Sequence, residues 1–295
     1  MSHPEYALRT NAATHMVQHL ASGRFLGGFG TNYWRSWVFP LYTPGGQTVV
    51  QEFPFDHPFH NGLFAGQNPV RLGDREANFW ALPVRRSADD HIMVRIGRMD
   101  PQGPVQAECT TTGARLHLNS IWRDEQGQAL LDEERSATFA ALPTATLCEL
   151  SSRKTASYGQ VEFGRTKFGS LGARVEPRLL PALGGQVIGC QEGQLRRGLA
   201  DEVANGRECD AVAYETALPG GGVFGLCLII HANSAAPGRC GPWFIRDYGM
   251  AMFNATQQAP VIVPEGQTWT AALRAVAYEG PLDADRLETW RHLEL

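Results

Sequence analysis

Apolar side chains recur at every second position in two long stretches of the sequence, and this alternation is the feature that most limits the fold. In residues 114–122 the apolar side chains of Ala114, Leu116, Leu118 and Trp122 share one face, and polar residues such as Arg115 and Asn119 lie on the other. Residues 269–277 show the same alternation. Because successive side chains of a strand point to opposite faces, a period of two predicts antiparallel strands with one buried face.

Turn signals separate these stretches, and helical patterns are sparse. Clusters of Pro and Gly lie at residues 44–46, 219–222 and 264–266. Many strands in one long chain predict an all-β fold, a large antiparallel β-sandwich with few short helices. Residues 6–20 are a candidate for one short helix. Residues 283–293 are a better one, because Asp283 can cap it and Leu287, Trp290 and Leu293 recur on one face. With no linker or repeat, we expect a single domain over residues 1–295.

Charge and hydropathy exclude several classes of partner. Asp and Glu number 30 against 26 Lys and Arg, giving a net charge of −4, which argues against nucleic acid. No apolar run approaches the roughly 18 residues of a membrane helix. Residues 1–24 lack the apolar core of a secretory signal, and the six cysteines form no C-x-x-C pair. We therefore expect a cytoplasmic protein with reduced thiols and no membrane partner. The oligomeric state is not indicated.

Two histidines lie three residues apart in the segment 55–64, beside Asp56 and Asn61. Pro58 fixes its own φ angle and favours an extended conformation for His57, so the segment is predicted to be a loop. On a loop, His57 and His60 can converge on one point. They can serve as metal ligands, as a general acid and base, or as hydrogen-bond donors to a polar ligand.

The second segment rich in functional side chains is 242–249. Extended geometry directs Trp243, Ile245 and Asp247 to one side and Phe244, Arg246 and Tyr248 to the other. Arg246 and Tyr248 then form a pair of donors suited to a carboxylate, a phosphate or vicinal hydroxyls. We expect His231, upstream at the end of an apolar strand, to join them.

A third segment, residues 164–174, combines glycines with basic side chains. Glycines let the backbone approach a ligand closely. Lys167 and Arg174 are the side chains that we expect to project towards it.

Several of these motifs together resemble a bacterial family labelled PmoA-like, or methane oxygenase PmoA. The matching residues are 39–46, 56–63, 78–80, 166–174, 242–243, 246–249 and the closing strand 274–280, and the resemblance covers about residues 35–290. The family usually shows a DHPHHRGL-type segment; here Phe59 replaces the middle histidine and Asn61 replaces the arginine. A site of three histidines is therefore not expected.

The resemblance implies a galactose-mutarotase-like supersandwich, in which a concave sheet presents histidine, arginine and acidic residues to a sugar. The family label itself does not fit, because methane monooxygenase subunits lie in membranes and this sequence has no spanning helix. We expect a small-molecule carbohydrate as the partner. Fold analogy does not determine the reaction.

The first hypothesis is a carbohydrate-active enzyme that uses histidine acid/base chemistry on a sugar or an oxidised (keto) glycoside. It would be an epimerase, an eliminating lyase or a hydrolase. Proton transfer near pH 7 suits histidine. The predicted catalytic residues are His57 and His60 as the acid/base pair, Arg246 and Lys167 as anion stabilisers, Asp247 or Asp56 to orient an imidazole, and Tyr248 as a donor to a hydroxyl. The predicted substrate-binding residues are Asp56, Asn61, Trp80, Arg174, His231 and Trp243, the two tryptophans forming a sugar platform.

Two alternatives stay open. In a metal-dependent lyase or isomerase, His57, His60 and a carboxylate such as Asp247 would hold a divalent ion. In a non-enzymatic carbohydrate-binding or accessory protein, the aromatic and arginine contacts would suffice. No cofactor is predicted, and a divalent metal is the one candidate.

Overall fold

The computed structural model describes residues 5–11, 14–83, 93–233 and 241–295, which form three antiparallel sheets. The first has eight strands, in the order β1 (Tyr6–Asn11), β2 (Thr14–His19), β3 (Phe25–Thr31), β4 (Ser36–Leu41), β5 (Leu63–Gln67), β14 (Gly169–Arg174), β20 (Met250–Phe253) and β19 (Trp243–Ile245). The smallest has four strands, in the order β21 (Val261–Val263), β13 (Val161–Phe163), β6 (Val70–Leu72) and β7 (Arg75–Ala77).

The second sheet has ten strands, and the described helices are short. Its order is β16 (Gln194–Gly198), β15 (Gln186–Gln191), β17 (Ala211–Ala217), β18 (Val223–Asn233), β22 (Thr268–Glu279), β12 (Ala145–Thr155), β11 (Ala129–Ala141), β10 (Ala114–Arg123) and β8 (Arg98–Pro101), with β9 (Gln106–Cys109) also paired to β10. The helices are α1 (Ala200–Val203), α2 (Ala284–His292) and two 3-10 turns, Pro177–Leu179 and Pro181–Leu183.

The two large sheets pack face to face over one apolar core. Leu63, Leu171 and Phe253 from the eight-stranded sheet share this core with Leu118 and Leu273 from the ten-stranded sheet. Side chains of two inner faces that interdigitate in this way define a β-sandwich. The prediction of an all-β antiparallel sandwich with few short helices is confirmed, whereas a single domain over residues 1–295 stays a prediction.

The alternating stretches form strands as predicted, with one difference. In β10 the predicted apolar positions are buried and the positions between them are more exposed. In β22 the second face is also buried, because α2 packs over it and the Arg274 guanidinium donates to the carbonyl of Trp290. The α2 prediction is confirmed: Asp283 caps the helix, and Leu287 and Trp290 are buried.

The short helix expected within residues 6–20 is wrong. These residues form the hairpin of β1 and β2, in which Tyr6 pairs with His19 and Leu8 with Val17. The hairpin extends the eight-stranded sheet beyond β3. Pairing with that edge buries Tyr6 and Val17 and outweighs a weak local helical pattern.

The face of the eight-stranded sheet that points away from the sandwich core carries a second apolar cluster. Trp37, Phe64, Phe244 and Met252 belong to it and come from four different strands. The histidine-bearing loop, residues 53–62, runs between β4 and β5 and packs on this cluster through the buried ring of Phe59. This outer face therefore positions the candidate site.

Candidate functional site

The histidine-bearing loop consists of two consecutive turns. The His57 amide donates to the carbonyl of Pro54 at 3.2 Å, and the His60 amide donates to the carbonyl of His57 at 2.9 Å. Pro54 and Phe59 are buried and anchor the loop. The segment is a loop, as the argument from Pro58 predicts, and its second turn brings the two imidazoles to the same place.

The centre of the site is a stack of three parallel rings. The His57 ring lies between His60 and Tyr248, with both pairs of ring centroids 4.9 Å apart and interplanar angles of 2° and 8°. Phe64 continues the stack beneath His60 at 5.8 Å. The loop after β4 and the turn after β19, which the sequence singled out separately, therefore meet at His57.

Asp56 links His57 to a buried arginine. The His57 Nδ1 atom lies 2.7 Å from Asp56 Oδ2, and Arg174 Nη2 donates to both carboxylate oxygens, at 2.7 and 2.9 Å. Burial would raise the pKa of Asp56, but the hydrogen bonds from His57 and Arg174 outweigh it and lower this pKa below its usual value. Asp56 is therefore an anion near neutral pH, and its position fixes the His57 ring.

His60 differs sharply from His57 in its surroundings. Its side chain is 1% exposed, whereas that of His57 is 25% exposed. Neither ring nitrogen of His60 has a hydrogen-bond partner among the described residues. Burial, and then the charges of His57, Arg174 and Arg35, hold the pKa of His60 well below its usual value. His60 is thus a neutral ring beneath the accessible one.

Tyr248 is held over His57 by a braced turn. Residues 246–249 connect β19 to β20, and the Gly249 amide donates to the carbonyl of Arg246 at 2.9 Å. The Asp247 carboxylate accepts from the Ala200 amide of α1 at 2.8 Å, and the Tyr214 hydroxyl donates to the Arg246 carbonyl at 2.6 Å. The structure thus gives Asp247 a bracing contact with α1, and the contact with an imidazole belongs to Asp56.

Two cationic side chains border the stack. The Arg174 guanidinium lies 5.0 Å from the centre of the Tyr248 ring, and its Nε and Nη1 atoms have no partner among the described residues. Arg246 is 34% exposed, lies over Phe244 at 4.6 Å and pairs with the exposed Asp201 at 3.2 Å. Because an exposed ion pair is weak, Arg246 is free to exchange Asp201 for an anionic group of a ligand.

Other predicted residues lie at the edge of this region. Lys167 is exposed, with its ammonium 5.1 Å from the Phe168 ring, and Phe168 contacts Trp80 at 5.4 Å. Asn61 is fully buried beside the loop, and its side-chain amide has no partner among the described residues. Lys167 and Asn61 therefore lie beside the apolar cluster on the outer face of the eight-stranded sheet. Among the contacts of the described residues, neither is paired with His57.

Three predictions about ligand contacts do not agree with the structure. Trp80 packs edge-on against His60 at 5.3 Å and is buried, so it is a wall of the site and presents no open platform. Trp243 lies in the core between the sheets, where its indole donates to the Cys209 carbonyl. His231 lies on the ten-stranded sheet and pairs with Glu149 at 3.3 Å, so it does not join Arg246 and Tyr248.

Sequence reasoning missed Arg35 and the carboxylate of Glu52. Arg35 is buried, donates to the carbonyls of Trp80 and Ala81, and lies over the Phe64 ring at 5.4 Å. Burial and then the charge of Arg135 lower the pKa of Arg35 to about 9. Glu52 accepts from the indole of Trp37 at 2.5 Å, and burial raises its pKa. No local pattern in the sequence marks either residue, since their hydrogen-bond partners lie 15 to 46 residues away in the chain.

The donor set of the metal hypothesis is not assembled. Among residues 5–11, 14–83, 93–233 and 241–295, no group of three His, Cys, Asp or Glu side chains is placed to hold a metal ion. Asp247 is engaged with α1 and the His60 nitrogens are buried. In the same described residues, no helix is long and apolar enough to cross a membrane.

Comparison with known proteins gives one family. The model of a family of unknown function, DUF6807, matches residues 28–291, which is most of the chain. No curated protein sequence matches the chain.

Solved structures of sugar-directed enzymes resemble the chain at low identity. The galactose 1-epimerase of Lactobacillus acidophilus NCFM is 10% identical, with 95% of this chain and 100% of that chain covered and a TM-score of 0.40. A putative aldose 1-epimerase of Escherichia coli K12 is 9% identical over 94% and 99%, with a TM-score of 0.38. A GH36 α-galactosidase of Geobacillus stearothermophilus is 11% identical, with a TM-score of 0.44; 94% of this chain matches 41% of that one. At these values the likeness gives no residue of the site a role.

Proposed function

This chain belongs to the family of unknown function DUF6807, and we propose that it is a carbohydrate-directed enzyme in which His57, oriented by Asp56, transfers a proton. The observation that carries this proposal is the geometry at His57. An accessible imidazole lies between two parallel rings, and the carboxylate at its Nδ1 atom is fixed in turn by a buried arginine.

This arrangement suits general acid/base catalysis. With Nδ1 engaged by Asp56, the Nε2 atom of His57 is the one available to a ligand. A base in this position removes a proton from a sugar hydroxyl or from a carbon next to a carbonyl. The Asp56 carboxylate then stabilises the imidazolium that forms. His57 returns the proton in the second half of the reaction.

The surrounding side chains supply the rest of the chemistry. The exposed guanidinium of Arg246 is available to an oxyanion that develops on the substrate, and such stabilisation is often the largest contribution to rate. Tyr248 offers a hydroxyl donor at the edge of the stack. Epimerisation, elimination and hydrolysis all use this equipment, so the reaction type stays open within the proposal.

The proposal is tested by incubating the wild-type protein in D₂O with aldoses, glycosides and 3-keto-glycosides and following the sugars by NMR. We expect deuterium uptake at carbon, anomeric exchange or loss of a glycoside. Binding without any turnover contradicts the enzyme and favours the carbohydrate-binding alternative. Turnover that depends on added Mn²⁺ or Zn²⁺ and is lost with a chelator contradicts the metal-free mechanism.

The resemblance to the PmoA-like family, the cytoplasmic location and the absence of a nucleic-acid partner stay predictions. None of them bears on the chemistry at His57. A sugar as the small-molecule partner is part of the proposal.

A further inference from the structure

The ring most exposed to solvent beside the candidate site is that of Phe55. Its side chain is fully exposed, and it immediately precedes the Asp56–His57 pair in the first turn of the histidine-bearing loop. Pro54, its other neighbour, is buried and anchors this turn. The backbone of Phe55 is therefore fixed at the rim of the site. Its phenyl group is exposed to solvent, so packing among the described residues does not explain why an apolar side chain stands there.

A second phenyl lies on the same rim. Phe53 is 45% exposed and packs edge-on against Trp37 at 5.9 Å, and Trp37 is itself held by its hydrogen bond to Glu52. Phe53 adopts a backbone φ angle of 48°, in the left-handed region that residues other than glycine rarely enter. One ring is thus fixed against the sheet and the other is free, with only Pro54 between them.

These two rings replace the platform that the sequence assigned to tryptophan. Trp80 and Trp243 are buried, so neither can receive a sugar. An exposed aromatic face next to polar groups is the surface on which the C–H face of a pyranose packs. Phe55 and His57 belong to the same turn, with only Asp56 between them in the chain, so the exposed phenyl group is anchored beside the proton-transferring residue.

We infer that Phe55 binds the second unit of a glycoside, so that the substrate class is a glycoside of at least two rings. This inference rests on the proposed function, and it adds that the free monosaccharide is the poorer ligand. The unit at His57 undergoes proton transfer, and the unit on Phe55 contributes binding energy.

The test compares glucose and galactose with cellobiose, maltose and lactose as ligands, using wild-type protein, Phe55→Leu and Phe55→Trp. We expect the wild type to bind a disaccharide about three- to tenfold more tightly than its monosaccharide, the range of one aromatic contact. Phe55→Leu removes this preference and leaves monosaccharide affinity unchanged, whereas Phe55→Trp keeps it. Phe25→Leu is the matched control, because Phe25 is also exposed and lies at the start of β3.

The outcomes separate the two claims. Sugar binding with no preference for disaccharides, or a preference that survives Phe55→Leu, overturns this inference and leaves the proposed function standing. No sugar binding by the wild type contradicts both. Sedimentation of the same variants adds a check, because a wild-type dimer that Phe55→Leu dissociates would make the ring part of an interface between copies and overturn the inference.

Discussion

The imidazole rings of His57 and His60 lie parallel, with an interplanar angle of 2° and centroids 4.9 Å apart, yet only the ring of His57 reaches solvent. Ring nitrogens donate and accept in the plane of the ring, so two rings stacked face to face do not share a proton through a direct hydrogen bond. In this account His57 exchanges the proton with the ligand, and His60 supports it from below as a neutral ring.

His60→Phe keeps a ring under His57 and removes two buried nitrogens that lack partners among the described residues. A proton carrier contributes about 100- to 10,000-fold to a rate, so we expect this variant to keep kcat within about tenfold of the wild type. Its free energy of unfolding should rise by about 1 kcal/mol, because buried unpaired polar atoms are removed. Turnover and urea unfolding measure the two effects.

The control is His60→Ala, which leaves a cavity and should lose about 2–4 kcal/mol of stability. A fall in kcat of more than about 100-fold in a stably folded His60→Phe protein would show that His60 carries a proton after all.

Asp56→Asn tests the link from Arg174 to His57. The folded pKa of Asp56 lies below its usual value, so the carboxylate stabilises the fold above its unfolded pKa, and this contribution is lost as the pH falls through the folded pKa. At about pH 7 we expect a loss of only about 1 kcal/mol, since Asp56 is 42% exposed and solvent screens the pair. The free energies of unfolding of the wild type and Asp56→Asn, measured from neutral to acidic pH, should become equal below about pH 4. A difference that widens in acid would contradict the assignment.

Asp247 separates a bracing role from a catalytic one. Asp247→Asn keeps an oxygen that can accept from the Ala200 amide, whereas Asp247→Ala removes it. We expect Asp247→Ala to lose about 1 kcal/mol of stability, as for a lost helix cap, and to bind sugar more weakly because Tyr248 is less firmly held. Asp247→Asn should keep the stability and the sugar affinity of the wild type. If Asn abolishes turnover while sugar affinity and stability stay at wild-type values, the carboxylate takes part in the chemistry.

Local patterns predicted much of the fold. The alternation in β10 and the capped periodicity of α2 are short-range features, and Pro58 determines the loop around His57 from its own geometry. The burial of Trp80 and Trp243 could not be predicted from local patterns. Which face of a strand is covered depends on distant segments that pack on it, and these segments also placed His231 on the other sheet.

The candidate site could be predicted only in part from the sequence, for the same reason. The sequence indicated two separate clusters, and the contact of His57 with Tyr248 joins them through the pairing of β5, β14 and β20. Arg35 was missed because a buried arginine in an apolar stretch has no local signature. Its neighbours, the carbonyls of Trp80 and Ala81, lie 45 and 46 residues away in the chain.

Lys154 is a buried cation that the proposed chemistry does not use. Its ammonium lies 4.6 Å from the Trp269 ring and has no hydrogen-bond partner among the described residues. Burial lowers its pKa to about 8, so the charged form is disfavoured in the fold; the resulting destabilisation is full below about pH 8 and fades as the pH rises towards 10.5.

We therefore expect Lys154→Met to be more stable than the wild type by about 1–3 kcal/mol at neutral pH, with the difference narrowing by about pH 10. Glu133 keeps its ion pair with Arg135 in this variant, so no buried charge is left alone. Urea unfolding at the two pH values is the measurement. A destabilised variant at neutral pH would show that the ammonium contributes net stability through Glu133 and the tryptophan rings.

A comparison of three proteins tests whether His57 transfers a proton to or from a sugar. Wild type, His57→Asn and His231→Asn are incubated in D₂O with the sugar that the wild type turns over, and deuterium uptake or product is followed by NMR. His231 is the matched control, because it is also a histidine paired with a carboxylate, on the other sheet. We expect a loss of about 100-fold or more for His57→Asn alone, with sugar binding retained. Equal rates in the wild type and His57→Asn would show that His57 does not carry the proton.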